Sequence, residues 1–93
     1  MKKILVVDDE KDIVELVKNR LEENNYEVIV AFDGKEGVQK AQEQKPDLII
    51  LDIMMPHLSG GEAVKLLKVD AVTKHIPIIF LTGIIENTSQ GAE

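Results

Sequence analysis

Two short apolar runs that end in aspartates constrain the fold of this chain more than any other feature. The first run, residues 4–7, leads directly into Asp8 and Asp9, and the second, residues 48–51, leads into Asp52. Short, continuous apolar runs of this kind are typical of buried β-strands. If the two strands are parallel neighbours, their carboxyl ends meet at one edge of a sheet, and the three carboxylates converge there.

Carboxylates gathered at one place repel one another strongly. Two like charges about 4 Å apart repel by about 4 kcal/mol at an effective dielectric constant of roughly 20. A cluster of three aspartates is therefore expected where a cation binds, which favours a binding site over a solvated surface. A lone aspartate at a strand end, in contrast, is usually a turn residue or a helix cap. Asp9 is a candidate cap for the helix that follows as well as a metal ligand.

The length and the charge of the chain limit its possible functions. Its 93 residues are expected to form one small domain, residues 1–93. The formal net charge of −6 and the lack of a basic stripe argue against nucleic-acid binding. The start, Met1-Lys2-Lys3, precedes an apolar run too short for a signal peptide or a membrane span. We therefore expect a cytoplasmic protein with no membrane segment.

The rest of the chain alternates apolar runs with segments of helical periodicity. Strands are predicted at residues 4–7, 27–31, 47–51 and 76–81, and helices at residues 11–24, from an N-cap at Asp33 to Lys45, and from a capping box at residues 59–62 onwards. Strands this uniformly apolar are covered on both faces, as in the parallel sheets of α/β proteins. With right-handed crossovers, the prediction is a doubly wound sheet whose ligands bind beyond the carboxyl ends of its strands.

Three segments carry a resemblance to a known family. Residues 3–10 (KILVVDDE), 47–60 (DLIILDIMMPHLSG) and 76–83 (IPIIFLTG) resemble the receiver domain of bacterial two-component response regulators, in the same order and at the expected spacings. The resemblance covers essentially the whole chain. It implies a flavodoxin-like α/β fold with strand order 2-1-3-4, and a phosphoprotein of phosphorelay signal transduction.

The resemblance also implies a role for each matched residue. Asp52 would accept a phosphoryl group from a histidine kinase, Thr82 would hydrogen-bond a phosphoryl oxygen and act as a switch, and Gly83 would leave space for that oxygen. The pocket would depend on Mg²⁺, a hard cation that takes a few carboxylates together with waters and phosphate oxygens. Its implied ligands are Asp8 (through a water), Asp9, Asp52 and the backbone carbonyl of Met54. Beyond catalysing its own phosphorylation and dephosphorylation, such a protein is not an enzyme.

One edge of the first predicted helix is the expected partner surface. By helical geometry Leu16 lies about 100° from the centre of the apolar face of that helix, so its side chain is expected to be exposed. In a receiver, this edge meets the helices of a sensor histidine kinase or a phosphotransfer protein. The residues expected to form it are Ile13, Leu16 and Arg20.

The resemblance ends where receivers normally continue. The chain stops at Glu93, before the fifth strand and the phosphoryl-contacting lysine that receivers carry at its end, so the receiver is expected to be incomplete at its C-terminus. The strand at residues 76–81 then becomes an edge with the composition of a central strand, which predicts a homodimer or an exchange of elements through it. The alternative function is a truncated receiver that serves only as a protein-interaction or dimerisation module, without competent phosphoryl switching.

Two other functional classes fit the residues less well. In an FMN-binding flavodoxin, the loop after the first strand binds phosphate, whereas here the acidic residues 8–10 would repel it. An aspartyl-phosphate hydrolase is disfavoured because its acidic pair should stand two residues apart after one strand.

Overall fold

Strands and helices alternate along the chain, as a doubly wound α/β fold requires. The computed structural model describes residues 1–52 and 60–81. The predicted site residues Met54, Thr82 and Gly83 lie outside the described residues, as does Ser59 of the predicted capping box. The described elements are β1 (Lys3–Val7), α1 (Lys11–Glu23), β2 (Glu27–Ala31), α2 (Gly34–Gln44), β3 (Leu48–Leu51), α3 (Gly60–Val69) and β4 (Ile78–Phe80).

The four described strands form one parallel sheet in the order β2-β1-β3-β4, which confirms the predicted fold class and strand order. Val7, the last residue of β1, pairs with Ala31 on one side and with Leu51 on the other. Leu51 in turn pairs with Phe80. All four strands therefore end level with one another, so the residues that follow them lie along one edge of the sheet.

Helices cover both faces of the sheet, and the side chains of each strand alternate between two buried clusters. Leu5 belongs to the cluster on the face of α2 and α3, together with Leu67. Val6 belongs to the cluster on the opposite face, together with Val14 of α1. Full burial of one such side chain stabilises the fold by about 1.5–3 kcal/mol. Burial on both faces therefore explains why the central strands are apolar at every position after Lys3.

The first two helices begin and end close to the predicted positions. Asp33 is the N-cap of α2, and its Oδ1 accepts the backbone N–H of Glu36 at 2.8 Å. The Glu36 carboxylate in turn accepts the N–H of Phe32 at 2.8 Å. Lys45, in the left-handed conformation with φ of 49°, ends α2, and Asn24 ends α1. Within the described ranges, no helix combines the length and the apolarity needed to cross a bilayer.

The last strand is shorter than predicted, since β4 covers Ile78–Phe80 rather than residues 76–81. The N–H of Ile76 donates to the carbonyl of Thr73 at 3.0 Å in the preceding turn, so it is not available to the sheet. Pro77 has no N–H to offer, although its carbonyl accepts the N–H of Ile49 at 3.0 Å. In the described sheet β4 is an edge strand, as predicted, and Phe80 is 36% exposed.

Candidate functional site

The three aspartates that the sequence predicts to converge lie together at the carboxyl edge of the sheet. One carboxylate oxygen from each of Asp8, Asp9 and Asp52 lies within 4.8 Å of the other two. The backbone places them there, because the pattern of the parallel sheet continues one residue beyond the strands. The N–H of Asp8 donates to the carbonyl of Ala31 at 3.1 Å, and the N–H of Asp52 donates to the carbonyl of Val7 at 2.9 Å.

Two of these carboxylates are buried and the third faces solvent. Asp8 is 4% exposed and Asp52 is 6% exposed, whereas Asp9 is exposed. Among the described residues, no buried side-chain oxygen or nitrogen lacks a hydrogen-bond partner. The cluster therefore forms a pocket with a buried floor and an open, negatively charged side.

The backbone at the start of α1 makes a hydrogen bond with the carboxylate of Asp8 and not with that of Asp9. The N-cap of α1 is Glu10, whose own side chain makes no capping hydrogen bond, so the suggestion that Asp9 caps this helix is wrong. Instead, the backbone N–H of Glu10 donates to Oδ1 of Asp8 at 2.9 Å. This contact was missed in reading the sequence, although an aspartate commonly accepts the N–H two residues further on. The carboxylate of Asp9, which does not cap the helix, lies on the exposed side of the pocket.

Burial raises the pKa of Asp8 from 3.8 to about 6. The hydrogen bond from the Glu10 N–H lowers this pKa, but the charge of Asp52 and side-chain hydrogen bonds with Asp52 and Asp9 raise it again. The cause is that a negative charge at Asp8 is poorly solvated and lies beside other carboxylates. A cation in the pocket would reverse this balance, because it favours the ionised carboxylate.

The chemistry of these donors fits Mg²⁺. Mg²⁺ prefers oxygen ligands at about 2.0–2.1 Å in an octahedron, so neighbouring ligand oxygens stand about 3 Å apart and opposite ones about 4 Å apart. Carboxylate oxygens within 4.8 Å of one another are close to that spacing. The exposed position of Asp9 also leaves room for water molecules, which Mg²⁺ usually retains. The pocket therefore has the composition and the access that a magnesium site needs.

The predicted partner surface lies on one flank of α1. Leu16 is 59% exposed, as its helical position predicts, Arg20 is exposed and Ile13 is partly buried. A leucine exposed to this degree contributes little to the core, so it is available for contact with another molecule. The role of this flank in binding a kinase stays a prediction.

Comparisons with known proteins agree with this geometry. The family model for the response regulator receiver domain matches residues 4–92. The alkaline phosphatase synthesis transcriptional regulatory protein PhoP of Bacillus subtilis is 51% identical over 81 residues, which is 87% of this chain and 33% of PhoP. The chain therefore spans about a third of the length of that relative.

Solved structures with the same fold lead to the same family. The chemotaxis response regulator CheY4 of Vibrio cholerae has a TM-score of 0.83 and 40% identity, over 86% of this chain and 67% of that one. The receiver domain of the sensor histidine kinase PA1611 of Pseudomonas aeruginosa, solved with a magnesium ion coordinated in its active-site cleft, has a TM-score of 0.82 and 28% identity, over 85% of this chain and 65% of that one. With the acidic pocket at the carboxyl edge of a 2-1-3-4 sheet, these matches establish that the chain belongs to the response regulator receiver domain family.

Proposed function

We propose that this receiver accepts a phosphoryl group on Asp52 from a phosphohistidine of a sensor kinase or of a phosphotransfer protein. The observation that carries the proposal is the placement of Asp52. Its buried carboxylate follows β3 and lies against the carboxylates of Asp8 and Asp9. An aspartate in such a pocket is poised for phosphoryl transfer only if its surroundings can be neutralised, which a divalent cation does.

Asp52 is the nucleophile in this proposal. A carboxylate oxygen forms a bond to phosphorus while the bond between phosphorus and the imidazole nitrogen of the donor breaks. The electron pair of the broken bond stays on the imidazole, and the product is an acyl phosphate on Asp52. When bound, Mg²⁺ supplies the positive charge that lets an anionic oxygen approach an anionic phosphoryl group.

The other residues of the pocket hold the cation and position the acceptor. Asp9 and Asp52 are the proposed direct ligands of Mg²⁺, and Asp8 is proposed to bind it through a water. The N–H of Glu10 supports this role for Asp8, because it keeps the carboxylate in one orientation. By resemblance, Met54 would add its backbone carbonyl, and Thr82 and Gly83 would contact the phosphoryl oxygens. Catalysis would be limited to the protein's own phosphorylation and dephosphorylation.

The proposed docking surface for the phosphoryl donor is the flank of α1 that carries Ile13, Leu16 and Arg20. It supports the proposal because Leu16 is exposed on the helix that follows directly from the acidic pocket. A cytoplasmic location, where soluble kinase domains and phosphotransfer proteins meet receivers, belongs to the same proposal.

A small phosphoryl donor tests the proposal without knowledge of the kinase. Phosphoramidate carries a phosphorus–nitrogen bond, as phosphohistidine does, and intact-protein mass spectrometry detects the transferred group. We expect one added phosphoryl group in the presence of Mg²⁺ and none after removal of divalent cations with EDTA. Asp52→Asn should abolish the added mass, whereas Asp47→Asn, at an exposed aspartate outside the pocket, should retain it. A phosphorylated Asp52→Asn protein would place the acceptor elsewhere and overturn the proposal.

A second candidate function, self-association through β4, is favoured by one observation. Ile79 lies on this edge strand of the described sheet and is 42% exposed. An exposed apolar edge strand is a template for pairing with another chain. We propose a symmetric dimer or an exchange of elements through β4 as the form that such association takes.

A further inference from the structure

A cleft of about 270 Å³ lies between α1 and β2, outside the acidic pocket. The apolar part of its lining is formed by Val14, Val30 and Phe32, and its cationic part by Lys11 and Lys18. Val14 is 3% exposed, and Phe32 is 37% exposed. The cleft therefore has an apolar floor and a polar wall in which two lysines outnumber one glutamate.

The cleft is separate from the proposed kinase-docking surface. At about 100° per residue, Lys11 and Lys18 lie on one side of α1, roughly half a turn from Leu16 and Arg20. Both lysines line the cleft together with Val30 and Phe32, so the side of α1 that carries them is the side next to β2. The two flanks of α1 can therefore contact two different partners at the same time.

The two lysines are available to bind an anion. Neither of them forms an ion pair with another residue of the described part of the chain. The ammonium group of Lys11 lies 6.0 Å from the centre of the Phe32 ring, which leaves its N–H groups open to a further acceptor. With Glu15, the cleft carries a local charge of +1, from two lysines and one glutamate, on a chain whose net charge is −6. The cleft therefore attracts an acidic ligand more strongly than the surrounding negatively charged surface does.

The outer edge of β2 argues against backbone pairing as the mode of binding. The ammonium group of Lys40 donates to the carbonyl of Val30 at 2.7 Å, and Glu36 accepts the N–H of Phe32 at 2.8 Å. These contacts occupy backbone groups at the carboxyl end of β2 that an added strand would use. Recognition in the cleft must therefore depend on side chains.

We propose that this cleft binds a short, extended, acidic segment of a partner protein, in which an apolar residue is flanked two positions away on each side by Asp or Glu. In an extended chain such residues point to the same side, and the two acidic ones stand about 13 Å apart. The lysines are seven residues apart on α1, or about 10 Å along its axis, and their flexible side chains cover the difference. The apolar residue fills the space above Val14 and Val30. The cleft is smaller than the about 300–1,000 Å³ of typical cofactor sites, but it has room for one such side chain.

The probe is the peptide acetyl-Glu-Ser-Leu-Ser-Glu-amide, titrated at low salt into the ¹⁵N-labelled protein. We expect saturable changes in the amide shifts of α1 and of the residues around Phe32. The Lys11→Gln/Lys18→Gln variant should bind the peptide at least five-fold more weakly. Replacing both glutamates of the peptide by glutamine, or its leucine by serine, should weaken binding by a similar factor.

A matched variant separates specific binding from general attraction of an acidic peptide. Lys35→Gln/Lys65→Gln removes the same charge from exposed positions on α2 and α3, which cover the opposite face of the sheet. It should bind the probe peptide within two-fold of the unchanged protein. Equal weakening in both double variants, shift changes centred outside the cleft, or undiminished binding of the serine peptide would each overturn the proposal. Phosphorylation of Asp52 is not measured in this experiment, so its outcome is independent of the proposed function.

Discussion

At the scale of single residues, the buried carboxyl group of Asp8 decides how the pocket behaves without metal. Its pKa is raised to about 6, so the folded protein binds a proton there more tightly than the unfolded chain does. The stability that this proton contributes is fully present below the unfolded pKa of 3.8 and is lost as the pH rises through about 6. At about 1.36 kcal/mol per pKa unit, the complete effect is up to about 3 kcal/mol.

We therefore expect the metal-free protein to be less stable at about pH 7.5 than at about pH 5, with Asp8 contributing roughly 1–2 kcal/mol to the difference, because its carboxyl group loses most of its proton between these two values. Urea unfolding in EDTA at the two pH values measures the difference. Asp8→Asn removes the titrating group and preserves its shape, so this variant should lack most of that pH dependence. An identical pH dependence in Asp8→Asn would assign the effect to other carboxyl groups.

The second prediction at the scale of single residues concerns the charge of Asp52. Without metal, Asp52→Asn should raise the melting temperature, because it removes one of the mutually repelling charges of the cluster. With Mg²⁺ present, the unchanged protein should have the higher melting temperature of the two. The unchanged protein gains stability by mass action, about 2.7 kcal/mol when free Mg²⁺ is a hundred times its Kd, whereas Asp52→Asn gains much less. Thermal melts of both proteins with and without Mg²⁺ check this, and an unchanged midpoint in the native protein would contradict a preformed site.

At the scale of elements, Lys40 closes part of the outer edge of β2 from its position on α2. Its ammonium group donates to the Val30 carbonyl at 2.7 Å and lies 3.1 Å from Glu36. The ion pair is about one-third exposed and contributes little, so the hydrogen bond to the backbone is the main contact. Lys40→Met keeps the aliphatic stem and removes the donor, and we expect a loss of about 1 kcal/mol in unfolding free energy. Lys35→Met, at an exposed position of the same helix, is the control and should cost almost nothing.

Helix α1 presents a leucine whose function can be separated from its contribution to packing. Leu16→Ala should cost less than about 1 kcal/mol of stability because the side chain is 59% exposed, yet it should weaken binding to the phosphoryl donor. Leu67→Ala provides the comparison, since Leu67 is 1% exposed in the core and should cost about 2–5 kcal/mol. Urea unfolding and a binding assay with the cognate kinase measure the two effects. If Leu16→Ala lost as much unfolding free energy as Leu67→Ala, Leu16 would be part of the core, and this result would contradict a docking role.

The boundaries of β4 illustrate what the sequence pattern cannot determine. The apolar run at residues 76–81 predicts a six-residue strand, but the turn before it is held by particular side chains. The hydroxyl of Thr73 donates to the carbonyl of Leu67 at 2.6 Å, and the ammonium group of Lys68 donates to the carbonyls of Lys74 and Ile76. These contacts fix the backbone of Ile76 in the turn, so the strand begins after it. Residue periodicity carries no information about such long side chains and their backbone acceptors.

The acidic pocket was easier to predict than its electrostatics. Its location follows from two apolar runs that end in aspartates, because parallel neighbours with level ends leave no other place for Asp8 and Asp52. The raised pKa of Asp8 depends instead on how deeply its carboxyl group is buried and on the nearby charge of Asp52, which outweigh the lowering effect of the N–H of Glu10. The exact burial of a side chain and its distance from neighbouring groups are three-dimensional quantities, which the sequence pattern does not specify.

At the scale of the whole molecule, the two faces of the described sheet differ in how completely they are covered. On the face of α2 and α3, Ile49 and Leu51 of β3 are 0% and 1% exposed. On the face of α1, Ile50 is only partly buried, and its partner in β4, Ile79, is 42% exposed. Among residues 1–52 and 60–81, helix α1 packs over β1 and β2, so within this part of the chain the half of the face formed by β3 and β4 is the more open one.

An open apolar half-face beside an edge strand predicts association between copies of this chain. Pairing through β4 would bury Ile79 and satisfy the outward backbone groups of the strand, and a closed twofold dimer is the commonest arrangement. We expect a dimer by light scattering or sedimentation at micromolar concentration. Ile79→Lys should then give a monomer or an unfolded chain, which circular dichroism distinguishes. Leu66→Lys places the same charge at a 47% exposed position on α3 and should leave the dimer intact. A monomeric mass with a cooperative thermal melt in the unchanged protein would refute this, because a stable monomer has no need of a second copy to cover β4.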